Sequence, residues 1–435
     1  MEDQGVFPTA GPAGFRPASL DAVNFFLADV RGALGPYLNV FLVTQQHWSQ
    51  TEVGWVTTVG GLLGLAAQTP TGAAIDSTRA KRGIVVLALA VFAMGAVVIF
   101  ATPFFWPVLV AKTLMSVVGD VFGPSVAALT LGLVTRASLA RRLGRNAAFD
   151  HAGNVAIAAV AGVVGYLFSQ RAVFLTVPIF AVLASMAVLS IPRAAIDENR
   201  ARGLGDGTAR ADEAQPAGYR VLLLCRPLVI SALCAMLFHF ANAPLLPLVG
   251  QKLALSHPAW ATAMMSSCII AAQLVMLPVA LAVGRTADTF GRKPILLVGF
   301  AVLPVRALLY TLSDSAPWLI GVQLLDGVGA GIFGAITPLV IADLMRGTGR
   351  YNVARGAVAT FQGIGASSSG LLAGMIVDHF GYSTAFVTSA TVACVALVAM
   401  FITLPETASG PVGDAAKPPL VGGLVGPSPS LDPRS

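Results

Sequence analysis

Twelve times along its 435 residues the chain runs for about twenty residues almost without charge, bounded each time by charged, proline or turn residues. A hydrocarbon core of ~30 Å needs about 20 apolar residues in helical form, and backbone left unpaired in lipid is too costly for any other open structure. The runs lie near 20–44, 53–75, 83–102, 105–135, 147–169 and 172–192, and then near 227–250, 259–283, 293–313, 316–344, 355–379 and 383–404. The pattern predicts an all-α membrane protein of twelve transmembrane helices in two six-helix bundles. With 56% hydrophobic and only 11% charged residues, soluble, disordered and disulfide-scaffold classes are excluded. The formal charge of +6 is what cytoplasmic loops contribute to a membrane protein, so nucleic acid is not an expected partner. Cys225, Cys234, Cys268 and Cys394 have no metal-type spacing and read as thiols facing the core or lipid. No metal and no cofactor are expected.

The expected organisation is a cytoplasmic segment 1–19, a bundle 20–192, a solvated linker 193–226, a second bundle 227–404 and a disordered tail 405–435. Pro8, Pro12 and Pro17 without an apolar core make the first segment unlike a cleavable signal peptide. The linker carries Gly-Asp-Gly, and the tail is rich in Gly, Pro and Ser. With both termini cytoplasmic, 22 of the 27 lysines and arginines lie on that side. Arg171 and Lys252 occupy opposite loops, and Arg31, Lys112 and Arg306 lie within spans. This is the positive-inside asymmetry of a multi-pass cell-membrane protein, expected in a bacterial inner membrane.

The halves repeat. After the second span stands Gly72-Ala-Ala-Ile-Asp76-Ser-Thr-Arg79-Ala-Lys81-Arg82, and after the eighth Gly284-Arg-Thr-Ala-Asp288-Thr-Phe-Gly291-Arg292-Lys293, 212 residues on. Arg136, Arg145 and Gly153 have counterparts in Arg346, Arg355 and Gly363 at an offset of 210. Parallel half-to-half repeats around a midplane site are a transporter architecture. The second loop resembles the Gly-x-x-x-Asp-x-x-Gly-Arg-Lys signature of the major facilitator superfamily, and that resemblance covers essentially the whole chain. It implies an ion-pair gate latch at the cytoplasmic helix ends, carried here by Gly72, Asp76, Arg82, Gly284, Asp288, Gly291, Arg292 and Lys293. The first copy has Arg79 where the signature has glycine. The fourth span, Lys112-Thr-Leu-Met-Ser116-Val-Val-Gly119-Asp120, resembles the family segment that carries an arginine tied to proton transfer in proton-coupled members, with lysine in its place. The Gly-Pro pair typical of antiporters in the fifth span is absent.

An ionisable side chain at the bilayer centre costs at least ~2.5 kcal/mol, so each needs a partner, a wet cavity or a function. In the first span Asp21, Asn24, Ala28, Arg31, Gly35 and Asn39 share a stripe about 80° wide, expected to line the cavity. Asp29, about 160° from Arg31, must find its partner on another helix, Lys112 being one option; it is either a locked ion pair or a proton carrier. Lys112 and Asp120 point within about 80° of one another. His239 and Asn242 precede Pro244 and Pro247, which break a helix and mark a gate. Asp326 heads a glycine-rich run, and Arg306 reads as snorkelling to the outer interface. Proton-coupling candidates are thus Asp29, Asp120, His239 and Asp326; cavity candidates are Asn24, Arg31, Lys112 and Asn242.

No Gly-x-x-x-x-Gly-Lys-Ser/Thr loop is present, and no catalytic constellation is seen, so an enzyme is not expected. The reading is a monomeric secondary transporter that exports a small organic compound in exchange for protons by alternating access. The alternatives are an uptake symporter for an anionic metabolite or metal chelate and a receptor that translocates nothing. Acids and bases within the spans nearly balance, which leaves the substrate open.

Overall fold

The computed structural model describes residues 16–32, 34–77, 80–201, 220–346, 348 and 350–407. The body of the linker, the tail beyond 407, Arg79, and the side chains of Asp29, Arg31, Asp76 and their neighbours at 71–77 lie outside the described residues. Within them, all regular structure is helical. The first half holds α1 (Pro17–Gly32), α2 (Leu34–Thr44), α3 (Gln50–Ser77), α4 (Lys81–Ala101), α5 (Phe105–Gly119), α6 (Phe122–Leu133), α7 (Arg136–Leu167) and α8 (Thr176–Leu189). Short α9 (Glu198–Ala201) and α10 (Arg220–Leu224) stand between the halves. The second half holds α11 (Arg226–Asn242), α12 (Leu245–Ser256), α13 (Ala261–Phe290), α14 (Arg292–Leu309), α15 (Ala316–Val322), α16 (Leu324–Leu344) and α17 (Tyr351–Thr403).

Eight stretches of the described residues are long and apolar enough to cross a membrane. The last, α17, is 53 residues long, which at 1.5 Å per residue far exceeds one bilayer. Gly381, at φ 81° and ψ 171°, turns the chain there, so α17 is two helices in series. A side chain is disfavoured at that φ, which is why glycine marks the turn. The first, fourth, seventh and tenth expected spans are each divided, into α1/α2, α5/α6, α11/α12 and α15/α16. In the seventh the cause is visible in sequence: Pro244 has no N–H to continue α11.

Each half packs its own apolar core. One gathers Leu20, Phe41, Leu89, Phe122, Phe174 and Val188; the other gathers Phe238, Phe300, Tyr310, Ile336, Phe386 and Met400. A smaller cluster of Tyr37, Val40, Ala161, Ala254, Ala261 and Met265 joins the halves at one end. Large apolar side chains such as Leu87, Met94, Trp106, Phe168, Ile179 and Phe401 cover the outer surface. At ~25 cal/mol per Å² that surface is stable only in lipid.

The polar stripe of the first span is divided between two surroundings. Gly35 and Asn39 reach a central cavity, whereas its lower part is covered by α7. Asp21 takes Arg142 and Arg145 at 2.7 Å each, and Asn24 donates to its own helix at the Leu20 carbonyl, 2.7 Å away. A Cβ on Gly153 would stand 2.2 Å from the Phe25 carbonyl oxygen and 2.9 Å from Ala28 Cβ. Gly153→Val should therefore separate α1 from α7 and lower stability by at least ~1–3 kcal/mol. Gly144→Ala, with nothing within 4 Å, is the matched control. Thermal melting of the purified protein checks this, and equal melting of both variants would refute the close-packing role.

Candidate functional site

Between the halves lies a cavity of about 430 Å³ to which both contribute. The first half supplies Asn39, Gln50, Thr57, Lys112 and Ser116; the second supplies Asn242, Gln251, Arg306, Asp326, Ser367 and Ser369. A second lobe of about 380 Å³ shares Gly61, Lys112, Ser116 and Ser367 with the first and runs past Gln68, Asp120 and Gly363. Lys112 stands where the lobes meet. Lys112 and Asp120 do face one region, the second lobe. Glycines on α3 permit the close approach: a Cβ on Gly60 would touch the Lys112 stem at 3.4 Å, and one on Gly61 would meet Ser367 Oγ at 2.4 Å.

One wall is a charged network that the sequence left as separate residues. Arg306 donates to Asp326 Oδ1 through Nη1 and to Asn242 Oδ1 through Nη2, the latter at 2.8 Å. The Tyr310 hydroxyl donates to Gln323 Oε1, and Gln323 Nε2 donates to Asp326 Oδ2 at 3.0 Å. Arg306 is only 2% exposed, so the snorkelling expectation is corrected: the guanidinium turns inward because a carboxylate and an amide offer it partners there. His239 lines a smaller chamber of about 160 Å³ behind this wall with Asn242, Arg306 and Asp326. Its Nδ1 donates to the Ala235 carbonyl at 2.9 Å, and its ring meets Phe333 edge-on at 4.9 Å.

The sequence candidates are therefore partly assembled. Lys112, Asn242 and Asp326 share the main cavity, Asp120 faces its second lobe and His239 stands behind its wall. Asn24 is elsewhere, held by its own helix against α7. The Asp29 and Arg31 side chains lie outside the described residues.

The halves are stitched at the end opposite the termini. Asp378, near the turn in α17, accepts from the Gln50 backbone N–H (3.0 Å), the Thr51 N–H (2.8 Å) and the Thr51 hydroxyl (2.6 Å). Gln50 Nε2 donates to the Tyr382 hydroxyl at 2.9 Å. Deeper, Thr58 donates to the Ser367 carbonyl at 2.7 Å and receives the Leu371 N–H at 3.1 Å. Tyr37 and Ser266 pair at 2.7 Å, and the Tyr166 and Trp260 rings pack at 4.5 Å, tilted by 33°. Midway, His151 meets Gln273 at 2.8 Å. The sequence reading missed Asp378; its signal was an acid close to an expected span end, three residues before Gly381.

At the other end the second signature loop forms its own cluster. Arg292 bridges Asp288 at 2.7 Å and Asp343 at 3.3 Å, and Arg346 also holds Asp343 at 2.9 Å. Gly291, at φ 86°, adopts a backbone other residues avoid, and a Cβ there would stand 2.6 Å from Glu406. Glu406 in turn accepts the backbone N–H groups of Arg292 (2.9 Å) and Lys293 (3.1 Å). Gly284 has open space around it. In the first half Arg82 donates to the Leu189 carbonyl at 2.5 Å, while Gly72 and Asp76 fall where side chains are not described.

The fold recurs in known proteins. A solved single-substitution variant of the nucleoside transporter NupG superposes with a TM-score of 0.74 at 12% identity, covering 88% of this chain and 98% of that one; at that identity the likeness is one of fold. An uncharacterised MFS-type transporter of Mycobacterium tuberculosis strain H37Rv is 46% identical over 407 residues, 93% of this chain and 96% of its own. The tetracenomycin C resistance and export protein of Streptomyces glaucescens is 29% identical over 126 residues, 28% of this chain and 23% of its own. The sequence model of the Major Facilitator Superfamily matches residues 20–280 and 228–430. Spans, repeat, signature loop and shared cavity thus have one source: the chain is a multi-pass membrane protein belonging to the major facilitator superfamily.

Proposed function

We propose that the chain exports a small organic compound in exchange for protons, the two halves rocking about the central cavity. The observation that carries this reading is the cavity itself, bounded by both halves and closed at one end by hydrogen bonds between them. With the termini cytoplasmic in a bacterial inner membrane, as the distribution of basic residues favours, the stitched end is periplasmic and the structure faces inward. The two signature loops, with Asp76 and Asp288, would then act as the latch of the opposite state. Proton exchange is supported by a carboxylate in the cavity wall. Asp326 is neutralised by Arg306, and a proton on Asp326 would free the guanidinium, so protonation and rearrangement of α14 against α16 are linked. Asp29 is the second carrier to test, followed by Asp120 and His239.

Pyranine-loaded proteoliposomes challenged with a panel of small metabolites test this. Solute entry into the liposome should drive protons out, and Asp326→Asn should abolish proton movement while leaving binding within about threefold. If only Asp29→Asn abolishes it, the carrier is Asp29. Protons moving with the solute would establish the symport alternative, which the amine of Lys112, without a partner among the described residues, favours through its affinity for anions. Binding without any flux would overturn transport.

A further inference from the structure

Charge bookkeeping within the cavity names a substrate class. Arg306 is balanced by Asp326, and both oxygens of that carboxylate are engaged, by Arg306 and Gln323. Asp120, two helical turns beyond Lys112 and so about 12 Å along the axis, has interactions of its own. Lys112 is the remaining cation on the described cavity wall, half-buried, with no hydrogen-bond or ion-pair partner among the described residues. An ammonium group in such surroundings is stabilised by a counter-anion and penalised without one. On the same wall one donor, Arg306 Nε, and two acceptors lack hydrogen-bond partners among the described residues. Asn39 Oδ1 and Gln251 Oε1 are buried acceptors without a hydrogen bond, on residues that are 8% and 1% exposed and line the same cavity. Unpaired buried acceptors cost about 1–3 kcal/mol each unless a donor reaches them.

Resting on the transport reading of this site, we propose that the cavity binds a small organic monoanion that also carries a hydroxyl or amino donor. Its carboxylate pairs with the Lys112 ammonium, and its donor satisfies Gln251 Oε1, the more deeply buried of the two acceptors. One ammonium balances one negative charge, hence a monoanion. The cavity of about 430 Å³ sets the size at one or two fused rings. Lys112 and Asn39 belong to the first half and Gln251 to the second, so such a ligand spans both and its binding is coupled to their closure.

A matched set on one ring system isolates charge: 6-hydroxy-2-naphthoate, 2-naphthoate, 6-hydroxy-2-naphthamide and 6-hydroxy-2-naphthylmethylamine. Thermal-shift titrations would be run on purified wild type, Lys112→Gln, Lys112→Arg and Gln251→Leu. The hydroxy-acid should bind tightest, the plain acid severalfold weaker, the amide weaker still, and the amine should not bind. Lys112→Gln should weaken the hydroxy-acid at least tenfold, Lys112→Arg by no more than about threefold, and Gln251→Leu should erase its advantage over 2-naphthoate. The proposal is overturned by equal binding of amide and acid, by unchanged acid binding in Lys112→Gln, or by no acid shifting the melting of wild type. Should Lys112→Gln not fold, the Lys112→Arg and Gln251→Leu comparisons still decide. Vesicle flux separates the two readings: Lys112-dependent binding without flux removes transport and keeps the anion site, whereas flux of the amide alone removes the anion site and keeps transport.

Discussion

Asp326→Ala is expected to eliminate transport and to destabilise the protein by about 3–5 kcal/mol, the cost of breaking a buried ion pair from one side. The loss comes from what remains behind. Arg306 is 2% exposed and cannot discard its charge; without the carboxylate it keeps a single hydrogen bond, to Asn242. Arg306→Met should cost a similar amount by stranding the carboxylate. The double variant Arg306→Met/Asp326→Leu should melt within about 1 kcal/mol of wild type, because apolar residues of similar volume replace a buried pair with little or no loss. It should nevertheless carry no proton exchange. Thermal melting of the four proteins, with proton flux in proteoliposomes, reads both parts. A double variant that melts as low as the single variants would show that the wall is held by something other than charge pairing.

Asp378→Ala is expected to open the stitched end. The start of α3 already has a local cap, for Ser49 N–H and hydroxyl both bond Glu52 at 2.9 Å and Glu52 N–H returns to Ser49 Oγ at 3.2 Å. The three bonds to Asp378 therefore add little to forming α3; they tie it to α17 of the other half. A carboxylate on helix-terminal N–H groups contributes about 1.5–3 kcal/mol, so its loss should shift the equilibrium between closed and open by at least tenfold. Spin labels on Thr102→Cys and Ser313→Cys, in loops of opposite halves and in a background with the four native cysteines replaced, would report a longer distance. Asp378→Asn, which keeps one carbonyl acceptor, should fall between. An unchanged distance distribution in Asp378→Ala would remove the residue from the gate.

How far the sequence reached differs residue by residue. The break after Asn242 was legible because proline lacks an N–H; the division of the fourth span beside Asp120 has a signal of the same kind that was not read as a break, Pro124, which has no N–H for the Asp120 carbonyl. Lys112 and Asp120 were placed on one face by helical geometry alone, and both line the second lobe. The same geometry misassigned Asn24, since a polar stripe does not record what covers it; Gly153 lets α7 press on that part of the stripe. Arg306 was read as reaching outward because its partners, Asp326 and Asn242, are 20 and 64 residues away.

What the sequence determined by itself was the solvent, the helical class, the repeat and the family. Each follows from a periodic or local property: apolar length against bilayer thickness, the cost of unpaired backbone in lipid, and a loop written twice in one register. Only the tertiary structure decided which charges are spent on one another. Pairing in a bundle depends on which helices pack together, and that is set by close contacts summed over many residues at long separation. Once Arg306 has taken Asp326, the near balance of charges in the spans resolves, among the described residues of the cavity wall, into one paired wall and one unpaired amine, on Lys112.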